Sequence, residues 1–150
     1  MTLESVEDSF QLLHSFLSQD FHYLESSKIY GNGGGLALQS ALKLFLEKPE
    51  LGFVWLAYDE NNPKGICWVC FAISTSIGGI VAKLEDVFIK EGCQGKGIGS
   101  SMIEQLKVEL KKYGVRRIDT AVHLKNKDAR RFYEKHGFCS LNEERLACLL

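Results

Sequence analysis

The chain has 150 residues, 45% of them hydrophobic and 25% charged, with a formal net charge of −1. That size and balance suit one globular domain over residues 1–150 whose core needs no staples, and near-neutrality gives no support for a nucleic-acid partner. No apolar stretch approaches the roughly 20 residues that span a bilayer, and the start Met1-Thr2-Leu3-Glu4-Ser5 lacks the basic and apolar runs of a secretion signal. A cytoplasmic protein without a membrane partner is therefore expected.

Met1 to Ser5 reads as a short first strand, and Ser5-x-x-Asp8 as a capping-box-like helix start. Val6, Phe10, Leu13 and Leu17, with Leu12 and Phe16 beside them, then follow helical spacing. Phe21-His22-Tyr23-Leu24 leads into a loop ending in Gly31-Asn32-Gly33-Gly34-Gly35, which reads as a connection because no strand precedes it. Leu38, Ala41, Leu42, Phe45 and Leu46 mark a second helix, stopped by Pro49.

Three strands follow as an antiparallel meander: Leu51 to Tyr58, Ile66 to Ser74 and Ile80 to Ile89. They reverse at Asn61-Asn62-Pro63 and at Gly78-Gly79. Ile98, Met102, Ile103, Leu106 and Leu110 give a third helix its apolar stripe, ended by Gly114. Val115 to Val122 is the next strand, parallel to its predecessor because a helix connects them. Residues 127 to 136 form a helix capped by Asn126 and stopped at Gly137, and Phe138 to Leu141 and Arg145 to Leu150 supply two last strands. The sum is an α+β domain: a mixed, mostly antiparallel sheet of six to seven strands with about four helices on its two faces.

The five cysteines are an odd number without a secretion signal, which argues against a disulfide framework. Cys67-Trp68-Val69-Cys70 has redox-motif spacing, but residues three apart in a strand point to opposite faces, so core packing is the expected role. No second ligand pair stands at a zinc-like spacing, so no metal is expected. Charge is unevenly spread. Residues 1–60 hold nine acids against Lys28, Lys43 and Lys48 (3 − 9 = −6), and the rest hold 15 basic against 10 acidic residues (+5). The basic part suits a polyanionic cofactor, and the acidic part leaves room for a cationic amine.

Leu84 to Gly99 is the most informative stretch. A strand carrying Glu85 and Asp86 feeds the glycine-dense loop Gly92-Cys93-Gln94-Gly95-Lys96-Gly97-Ile98-Gly99, and a helix starts within it. That order presents free backbone N–H groups and a helix N-terminus to a diphosphate. Gly95-x-Gly97-x-x-Ser100 lacks the third glycine of a dinucleotide fingerprint, and no P-loop is present. Gln94-x-x-Gly97-x-Gly99 after a strand, followed by Asn126-x-x-Ala129-x-x-Phe132-Tyr133-x-x-x-Gly137-Phe138, resembles the coenzyme A loop and following helix of the GNAT N-acetyltransferase superfamily. Leu84-Glu85-Asp86 is closest to its polyamine- and thialysine-acetylating branch. The match is strong over residues 80–140 and weak before them.

The resemblance implies a sheet splayed between its fourth and fifth strands, with pantetheine lying between them. Val87, Phe88 and Ile89 would meet pantetheine amides. Gln94, Gly95, Lys96, Gly97, Ile98, Gly99 and Ser100 would wrap the pyrophosphate, and Asn126, Ala129 and Tyr133 would complete the cofactor site. Arg130, Arg131 and Lys135 would meet the adenosine 3′-phosphate or stay as solvated helix charges. Acetyl-CoA is then the cosubstrate, a small-molecule amine the acceptor, and a homodimer an expectation for which no residue specifies an interface.

Amide formation from a thioester needs a base for the amine, whose lysine-like pKa is ~10.4, and an acid for the departing sulfur. Tyr133 is the acid by resemblance. Glu85 is the base, acting through water; by alternation it shares a face with Val87 and Ile89, while Asp86 faces away unless a β-bulge breaks the parity. His123 is a further base candidate, and Cys93 has no catalytic role. A non-catalytic acyl-CoA-binding module would need neither Glu85 nor Tyr133, a protein N-terminal or lysine acetyltransferase would use both, and a nucleotide-binding protein would respond to NAD or ATP.

Overall fold

The computed structural model describes residues 3–19, 35–148 and 150. The aromatic stretch after residue 20 and all but the last residue of the Gly31–Gly35 cluster lie outside them. Helix α1 (Leu3–Gln19) and helix α2 (Gly35–Glu47) precede a 3₁₀ turn (Pro49–Leu51). Strands β1 (Gly52–Asp59), β2 (Asn62–Ser74) and β3 (Gly79–Ile89) follow. Helix α3 (Ile98–Lys112), strand β4 (Arg117–Thr120) and helix α4 (Lys127–Lys135) complete the order.

The sheet runs β1-β2-β3-β4, antiparallel through β3 and parallel from β3 to β4. Alternation along β2 sorts the core into two layers. Ile66 and Trp68 point to α1 and α2, where Leu12, Leu13, Leu38 and Leu42 bury against them. Cys67 and Val69 point to the other face, under Met102, Ile103, Leu106 and Leu110 of α3. These four leave the surface on the spacing that the sequence stripe predicts, and each buried aliphatic side chain contributes about 1.5–3 kcal/mol. Cys67 is fully enclosed and Cys70 half-buried, both as free thiols, so packing is the observed role of that pair. Burial, reinforced by Asp86, pushes the Cys67 thiol well up from its ordinary range.

Three expectations need correction. Residues 3–5 are helical: α1 starts two residues before the predicted cap, with the Ser5 carbonyl accepting the Ser9 hydroxyl at 2.6 Å inside the helix. The apolar stripe extends the helix past the local cap signal. Strand β4 is four residues long where eight were expected. Finally, the described residues after Gly137 form no strand. Asn142 takes a positive φ of 53° and its N–H bonds back to the Ser140 hydroxyl at 3.2 Å. That local turn competes with extended pairing. The described sheet therefore has four strands rather than six to seven, with α1 and α2 on one face and α3 and α4 on the other.

Candidate functional site

Strands β3 and β4 are paired only from Val81↔Arg117 to Leu84↔Thr120, while β3 runs on to Ile89. Past Leu84 the β4-facing edge of β3 has no strand beside it among the described residues, and the sheet forks. Its other edge stays paired to β2, at Ile66↔Phe88 and Gly65↔Ile89. A groove of about 2800 Å³ opens at the fork, lined by the end of β3, the glycine loop, β4 and α4.

The strand is interrupted at the fork. Trp68 pairs with Glu85 and Ile66 with Phe88, so Asp86 and Val87 together oppose Cys67: a β-bulge. Asp86 holds it with a φ of 45°, in the left-handed region that non-glycine residues seldom occupy. The bulge resets the alternation. Leu84, Val87 and Ile89 all pack into the α3-side core, while Phe88 joins Trp68 on the α1 side. Glu85, opposite Trp68, therefore does not share a face with Val87 and Ile89 as simple alternation predicts. Its carboxylate is 36% exposed and lies 3.7 Å from Arg145 Nη1.

Beyond β3 the loop turns tightly. Gln94 Nε2 donates to the Ile89 carbonyl at 3.1 Å, folding the loop back on the strand end. Gly95 and Gly97 take φ of 73° and 81° with open space where a side chain would stand. Gly97 is the N-cap of α3 and offers no side-chain bond, so the N–H groups of the first helical turn have neither an intrahelical nor a capping acceptor. Gly99 sits in the first turn of α3, where a Cβ would reach ordinary van der Waals contact, 3.4 Å, with Ile89 and Phe132 side-chain atoms. Lys96 is exposed, and Ile98 and Ser100 are half-buried. Such a cradle fits a diphosphate, because backbone can approach closely and the helix end carries partial positive charge.

Across the fork, Asn126 caps α4 by accepting the Ala129 N–H at 3.0 Å. Both residues line the groove. Tyr133 is 8% exposed, with its ring edge-on to Phe132 and Phe138. Burial pushes its pKa up to about 12, with Thr120 beside its hydroxyl pulling the other way. Thr120 donates to the Leu84 carbonyl at 3.2 Å, so the tyrosine hydroxyl lies beside the last paired residue before the fork. His123 uses Nδ1 to accept the Lys125 N–H at 3.2 Å within its own turn. Arg130 and Arg131 sit in exposed helix pairs with Glu134 and Asp128.

Sequence reading missed Thr120 and the partners of Ser100, a residue it had assigned to the cofactor loop. Thr120 carried no signal beyond its place near a strand end. Ser100, Glu104 and Lys107 lie on one face of α3 at helical spacing and meet His136 from the end of α4. Their i, i+4, i+7 pattern was visible, but the histidine that unites them is 36 residues from Ser100. Among the described residues no cluster of His, Cys, Asp or Glu could hold a metal, and no helix is long and apolar enough to cross a membrane.

The chain is 30% identical over 97 residues to an uncharacterised N-acetyltransferase of Methanocaldococcus jannaschii, covering 64% of this chain and 42% of that one. It is 28% identical over 86 residues to a Bacillus subtilis protein provisionally named a phosphinothricin acetyltransferase, covering 57% and 52%. It thus spans about half the length of these curated relatives. The solved structure of an integron cassette protein from the mobile metagenome of Cole Harbour Salt Marsh superposes with a TM-score of 0.77 at 23% identity, over 100% of this chain and 88% of that one. That likeness shows the fold. The sequence pattern of the Acetyltransferase (GNAT) family matches residues 11–138, and the chain belongs to that family.

Proposed function

We propose that residues 1–150 act as one N-acetyltransferase domain, moving an acetyl group from acetyl-CoA directly to a primary amine. A small polyamine- or lysine-like acceptor is the first choice. The observation that carries this reading is the fork: an unpaired β3 edge leads from an anion cradle at Gly95–Ser100 to Tyr133 at its base. An extended amide-bearing arm suits the free edge, and a diphosphate suits the cradle.

In this reading the amine attacks the thioester carbonyl, a C–N bond forms and the C–S bond breaks. Glu85 takes the ammonium-derived proton through water, and the N–H of Val87 at the bulge receives the developing oxyanion. Tyr133 faces the departing sulfur. With its pKa at about 12 against ~8.5 for a thiol, full transfer to a free thiolate would cost about 5 kcal/mol. The tyrosine therefore acts chiefly by donating a hydrogen bond as the C–S bond stretches, and burial keeps it protonated for that task.

A thiol-release assay with acetyl-CoA and a panel of amines tests the reading. Turnover on polyamines or lysine-like amines supports it, and peptide N-termini and lysine peptides in the same panel separate a protein acetyltransferase. Coenzyme binding without turnover on any amine would replace the enzyme with an acyl-CoA-binding regulatory module.

A further inference from the structure

Beyond Gly137 the chain turns at Ser140 and Asn142, and Leu141, Glu143 and Arg145 join the lining of the groove. Two charged neighbours mark its path. Asp119 bonding holds the Arg117 guanidinium of β4 above its ordinary range, and Glu143 is near enough to add to that effect. Arg145 Nη1 lies 3.7 Å from Glu85 Oε2, on β3 at the fork. The segment thus reaches from one strand of the fork to the other, and it delivers a guanidinium beside the proposed base.

This ion pair does little for the fold. Its side chains are 67% and 36% exposed, and a contact of 3.7 Å lacks the two short parallel bonds of a strong arginine–carboxylate fork. Both charges line the groove, where an acceptor can use them. Glu85 attracts the ammonium of an incoming amine, while Arg145 sets a permanent cation with five N–H donors next to it. A polyamine is drawn to the first group and repelled by the second. An amino acid satisfies both, its ammonium meeting Glu85 and its carboxylate meeting the guanidinium. Laid antiparallel to the protein's own charge pair, such a zwitterion leaves no charge without a counter-charge.

We propose that Arg145 is a specificity-determining residue of the acceptor site, binding the carboxylate of a small amino acid while Glu85 serves its amine. The proposal rests on the acetyltransferase reading above, and it narrows the small amines of that reading from polyamines to lysine-like amino acids.

The thiol-release assay on the full chain tests it, run with amino acids each beside its carboxamide. Lysine, lysinamide and cadaverine belong in the set, because they share one diamine chain and differ in the group at the α-carbon. Wild type should favour its best amino acid over the matching carboxamide by roughly tenfold in kcat/KM, the scale of one hydrogen bond to a charged group. Lysine should exceed cadaverine likewise. Arg145→Gln should bring these ratios close to one, with the loss appearing in the KM of the amino acid. Arg145→Lys should restore part of the preference, as a charge without the planar fork. The side chain is exposed, so both variants should fold. Absence of a carboxylate preference in wild type, or a preference that survives Arg145→Gln, would overturn the assignment while leaving acetyl transfer intact. Turnover on no amine at all would overturn the acetyltransferase reading, and the assignment with it.

Discussion

The Thr120 hydroxyl donates to the Leu84 carbonyl at 3.2 Å, and this contact closes the sheet at the last residue pair before β3 and β4 part. The Tyr133 hydroxyl lies beside the same side chain. Base of the fork, proposed acid and end of the parallel ladder are thus one connected unit, and Glu85 is the next residue along.

Tyr133→Phe removes the hydroxyl and keeps the edge-on contacts with Phe132 and Phe138. Turnover in the thiol-release assay should fall on the order of 10²-fold or more, while the acetyl-CoA dissociation constant changes little. Unaltered turnover would remove Tyr133 from the chemistry and leave it a packing residue.

The same substitution has a signature at high pH. Tyr133 is protonated in the fold up to about 12, against an ordinary value of 10.0. Above pH 10 the unfolded chain releases this proton while the folded chain retains it. The stability tied to Tyr133 is therefore complete below pH 10 and is lost as pH rises to about 12, with a total of about 2–3 kcal/mol. Denaturant midpoints of wild type minus Tyr133→Phe should show that loss in this window and a flat difference below it.

Asp86 and Glu85 can be separated by their backbones. Asp86 holds a φ of 45°, so Asp86→Gly should relieve strain of ~1 kcal/mol and raise the melting temperature by about 2–4 °C. With Glu85 as base, this variant keeps its turnover, whereas Glu85→Gln loses on the order of 10²-fold with an alkaline shift in the pH optimum. The opposite pattern would transfer the role to Asp86.

Gly97 and Gly99 differ in what a side chain would cost. Gly97→Ala puts a side chain at a φ of 81°, costing ~1 kcal/mol and about 2–4 °C, and sets a methyl group at the mouth of the cradle. Acetyl-CoA binding should weaken by more than the stability loss explains. Gly99→Ala makes only ordinary contact with Ile89 and Phe132 at 3.4 Å and has no positive φ, so its melting temperature should not fall. Calorimetric binding and thermal melts of both variants check the distinction.

Much of this was legible from local pattern. The α3 stripe, the meander, the parallel β4 and the glycine loop are all short-range features, and their physical causes lie within a few residues. The face assigned to Glu85 was not legible, because it depends on a bulge whose only trace is an aspartate in a glycine-like conformation. The extra strands at 138–150 failed for the converse reason. Phe138 to Leu141 has β-type residues, but Ser140 and Asn142 satisfy each other locally. Ser100 and His136 meet only through the packing of α3 on α4, which no window of sequence contains.

Four residues of pairing are a thin hinge for a strand as long as β3. Beyond Leu84 that edge of β3 has no strand beside it among the described residues, and sheet rims of this kind recruit foreign chains. An occupant lying in the cleft would complete the ladder and slow deuterium uptake along residues 85–89. If that occupant is the acetyl-CoA proposed above, the stiffness of this half of the molecule follows thioester supply, and metabolite abundance and resistance to aggregation rise together.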